Sequence, residues 1–92
     1  MLALPEVLTQ TQANACLGGL VQSLKTDPKT VVVVDASRLQ TFDSAALAVL
    51  MECRRVAASV DKSIQMQGMS ARLRDLALLY GVSELLPDGE AA

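Results

Sequence analysis

The apolar positions of this chain change period several times, and each change marks an element. Residues 31–34 are four consecutive valines. A run this short and this β-branched reads as a strand buried on both faces. The polar stretch 36–42 predicts a loop, which ends in Asp43, a good N-cap residue, ahead of a helix-forming run over 44–58. Within that helix Ala46, Val49, Leu50, Cys53, Val56 or Ala57, and Val60 recur at helical spacing and define an inward stripe. Leu47 and Met51, one turn apart beside Ala48, fall off the stripe and leave the helix start apolar on a second side. Either a wide stripe fills a small domain there or the surplus is a partner-binding surface.

Upstream, residues 2–4 alternate apolar and small side chains before Pro5 and predict a short edge strand. From Thr11 onward Ala13, Cys16, Leu17, Leu20, Val21 and Leu24 keep helical spacing, with Thr9 or Thr11 as cap. Gly18 and Gly19 inside this helix cost roughly 1 kcal/mol each relative to alanine, which predicts either a backbone packed close against them or a helix of modest stability. Pro28, inside the polar KTDPKT, stops that helix before the valines.

Residues 63–67 alternate, with Ile64 and Met66 on one side as in a half-buried strand, and Gly68 ends them. Ser70 then caps a helix through Tyr80 with Leu73, Leu76, Ala77 and Tyr80 inward, and Gly81 followed by Val82 reads as a Schellman stop. Residues 83–86 add a final turn before Pro87. Strand and helix therefore alternate, which requires crossover connections and a small, mostly parallel β-sheet covered by helices. The expectation is a single α/β domain over residues 1–88 and a flexible tail over 89–92.

Composition narrows the chemistry. At 92 residues one core is expected, and with Phe42 and Tyr80 the only aromatics it must be aliphatic. A net charge of −2 with mixed signs gives no basic stripe for nucleic acid or anionic lipid. Histidine is absent, which removes the commonest general base and the usual zinc ligand. Cys16 and Cys53 fall on the apolar sides of their helices and read as small buried hydrophobes. The loop ASRLQTFDS has neither the glycines nor the lysine of a phosphate-cradling loop. Asp35 and Asp43 flank it and could hold Mg²⁺ as a pair, but read more simply as caps. No catalytic residue, metal or cofactor is expected. The start of the chain does not read as a signal peptide and no apolar run approaches the ~20 residues of a membrane span, so the expected place is the cytoplasm without direct membrane insertion. Ser44 is the position of interest: its hydroxyl falls in the first helical turn, near unpaired N–H groups and the positive end of the dipole, which suits a regulatory phosphate or a partner contact.

With these residues in view, the chain resembles the STAS family, named for sulfate transporters and anti-sigma factor antagonists. The likeness rests on VVVVDASRLQTFDSAALAVL, where a strand, a loop ending in Asp43-Ser44, and small residues and leucines opening a helix follow the family's order. It covers nearly the whole chain. The stretch MQGMSARLRDLALLYGVSELLP looks more specifically like the small STAS subunit of the Mla complex, the ABC transporter that moves phospholipid between the two membranes of Gram-negative bacteria. The shared features are the hydrophobic-Gln-Gly turn at Met66-Gln67-Gly68 and the Leu-Tyr pair at Leu79-Tyr80. Family members often carry an additional strand ahead of the one at residues 2–4, and commonly a glycine in the small pair that here reads Ala45-Ala46.

The resemblance implies a STAS-like fold, no catalysis and no cofactor. It implies a seat on the cytoplasmic ATPase subunit of an ABC transporter, in one complex with its permease and peripheral to the inner membrane, in a system that maintains outer-membrane lipid asymmetry. The implied contact is formed by Thr41, Asp43, Ser44, Ala45, Leu47, Ala48 and Met51. The alternative it implies is an anti-sigma factor antagonist whose Ser44 is phosphorylated by the kinase that is also its partner.

Overall fold

The valine run takes the central place in a parallel sheet. A computed structural model describes residues 2–86. In chain order the elements are β1 Leu2–Ala3, β2 Val7–Leu8, α1 Gln10–Thr26, β3 Val31–Asp35, β4 Thr41–Phe42, α2 Ser44–Ser59, β5 Ser63–Gln67, α3 Ala71–Leu79 and a 3₁₀ turn Ser83–Leu85. The main sheet has the order β1-β3-β5, all parallel, so β1 is the edge strand expected before Pro5. Its register sets Leu2 beside Val34, Val32 beside Ile64 and Val34 beside Met66. Because side chains alternate along a strand, these residues share one face, and all of them are buried.

The other face is thinner than the valine run suggested. Val31 is 47% exposed and Val33 half-buried, so β3 is buried on one face and only partly covered on the other. Apolar residues from α1 (Leu20, Leu24), α2 (Leu50, Cys53, Ala57) and α3 (Leu73, Ala77) complete one continuous core with the inward face of the sheet.

Two short segments escape the periodic pattern. β2 and β4 form a second parallel ladder, Val7 beside Thr41 and Leu8 beside Phe42; β4 lies inside the stretch read from sequence as loop, and β2 where no element was expected. Glu6 O anchors it by accepting from Gln40 N at 2.8 Å and Thr41 N at 3.0 Å.

The helix ends follow capping chemistry. Thr9 is the N-cap of α1, its N–H donating to Gln12 Oε1 at 3.0 Å. At the other end, Lys62 Nζ donates to the carbonyls of Leu24, at 2.8 Å, and Asp27, setting a positive charge where the helix leaves unpaired acceptors. Ser70 Oγ accepts from Leu73 N at 3.1 Å at the start of α3. That helix stops at Gly81 (φ 71°), with Val82 N donating to Ala77 O and Gly81 N to Leu78 O, the Schellman arrangement its sequence predicts. Asp61 (φ 59°) closes α2 in the same way, its N–H donating to Ala58 O and that of Lys62 to Ala57 O.

The choice left open at Gly18 and Gly19 is decided by the space around them, and two residues expected inward need correction. Nothing lies within 4 Å of a Cβ placed on Gly18 or Gly19, so no backbone packs against them, and the helix of modest stability is the alternative that remains. Tyr80 (56% exposed) and Val60 (38%) are not core residues. Both are C-cap positions, where the backbone leaves helical geometry and the side chain leaves the stripe. The tail over 89–92, with Pro87, lies outside the described residues.

Candidate functional site

Asp43 organises the surface around the start of α2. Its backbone is extended (φ −129°, ψ −166°), as an N-cap requires, and Oδ1 accepts from Ala45 N at 2.8 Å. Oδ2 accepts from Gln10 N at 3.3 Å, the first residue of α1. One carboxylate therefore serves the N-termini of two helices. Ser44 follows as the first residue of α2 and is exposed, and its hydroxyl has no hydrogen-bond partner among the described residues.

The residues expected at this surface separate into two groups. Thr41, Asp43, Ser44 and Ala48 are exposed, and Ala45 and Met51 are half-buried at its margin. Leu47 is only 4% exposed and belongs to the core, contrary to the expectation that it lies off the inward stripe. The reason is that α2 packs against both α1 and β5, so it buries a wider arc than one stripe.

A groove beside Asp43 was missed by the sequence reading. Phe42, Asp43, Arg72, Asp75, Leu76 and Leu79 line a hollow of about 330 Å³ between the start of α2 and α3. The Arg72 guanidinium lies 5.0 Å over the Phe42 ring and reaches the Gln40 carbonyl only at 3.5 Å. Leu79 is 80% exposed and Leu78 68%. The available signal was the run from Leu76 to Tyr80: every residue in it is apolar, more than one face of a short helix can bury.

The carboxyl ends of the strands, where open α/β sheets commonly bind ligands, are closed by the chain itself. Asp35 Oδ1 accepts from Ser37 N at 2.9 Å, and this bond, with one from the Ser37 hydroxyl, holds the carboxyl below its usual range. Gly68 (φ 71°) turns there, and a Cβ on it would lie 2.9 Å from Ser37 Cβ. With Asp35 and Asp43 both turned onto backbone N–H groups, they do not form the acidic pair considered above. Both cysteines are free thiols. Cys53 is pushed up to about 11 by burial first, then by neighbouring Cys16 and Glu52, so its thiol stays protonated and poorly nucleophilic at neutral pH. On the outer side of α2 Arg55 pairs with Glu52, which lowers the Glu52 carboxyl. No helix among the described residues is long and apolar enough to cross a membrane.

The molecule is a small α/β domain whose strands' carboxyl ends are closed by its own loop and whose second helix begins in the open. The chain matches the family model described as MlaB, STAS domain, over residues 1–87, and it belongs to that family of STAS domains. A search among curated proteins found no match.

Proposed function

We propose that this chain is a non-catalytic STAS subunit that binds and supports the ATPase of an ABC-type phospholipid transporter, cytoplasmic and peripheral to the inner membrane through that complex. The observation that carries this reading is the exposed start of α2 in a STAS domain of the MlaB type. Thr41, Ser44 and Ala48 are small, and Asp43 spends its charge on two backbone donors, so the strip loses little solvation when a partner covers it. Ala45 and Met51 border the contact. Leu47 contributes from beneath, holding α2 in place.

The test is affinity capture of the tagged chain from its native host, with mass spectrometry of what co-elutes. An ABC-type ATPase with its permease is the expected result, and the purified chain alone should hydrolyse no ATP. Capture of a serine kinase that binds a sigma factor, with phosphate on Ser44, would replace this reading with that of an anti-sigma factor antagonist.

A further inference from the structure

We draw no further inference here: the strongest candidate, the open groove of about 750 Å³ between β1 and α1 lined by Leu4, Cys16, Gly19, Leu20 and Arg38, carries nothing because nothing in the structure shows what covers it.

Discussion

Asp43 is short, charged and exposed, and it does three things at once: it ends the β4 strand, caps α2 through Oδ1 and reaches the first N–H of α1 through Oδ2. Replacing it separates charge from geometry. Asp43→Ala removes both bonds, and a lost N-cap alone costs about 1–2 kcal/mol, so the midpoint of urea unfolding should fall accordingly. Asp43→Asn keeps an acceptor oxygen for the cap and should recover most of that stability. This residue was legible in the sequence because capping is local chemistry: a good N-cap before an apolar run needs no knowledge of the rest of the fold. Leu47 was not legible in the same way. A helical wheel gives the angle between residues, but not how many neighbours surround the helix, and only the packing of α2 on both α1 and β5 brings Leu47 inside.

Elements show the same division between local and distant causes. β3 and β5 followed from β-branching and alternation, and the stop of α3 at Gly81 from its turn chemistry. The β2–β4 ladder did not: β1, equally short, is marked by alternation running into Pro5, whereas β2 and β4 carry no such signal and their pairing joins parts of the chain far apart in sequence. The glycines of α1 illustrate the limit from the other side, since composition says that a helical glycine is costly but not whether anything lies against it. With the space around them empty, Gly18→Ala and Gly19→Ala should each stabilise the domain by about 0.5–1 kcal/mol. In a chain of this size 1 kcal/mol moves the thermal midpoint by roughly 4–8 °C, which scanning calorimetry resolves. A fall in the midpoint for either variant would mean that α1 meets something at that position after all.

At the scale of the whole molecule the question is which changes break the fold and which break only the contact. Leu47→Asp puts an unpaired charge into the core, at a cost of several kcal/mol, comparable with the total stability of a small domain. That variant should be unfolded by circular dichroism. Ala48→Arg, one residue on and exposed, should keep a native spectrum and thermal midpoint while losing the ATPase in the capture experiment. The contrast between adjacent positions tests fold and contact independently. The shared carboxylate of Asp43 carries a consequence for association itself. Two helices that begin on one acceptor are tied together at their starts, and the β2–β4 ladder leads into the same point. The proposed docking face therefore starts from two helix ends held on one carboxylate rather than from a free loop. A partner that lands on it has little disorder to remove, and the affinity it gains reflects the fit of the two surfaces more than the work of shaping one of them.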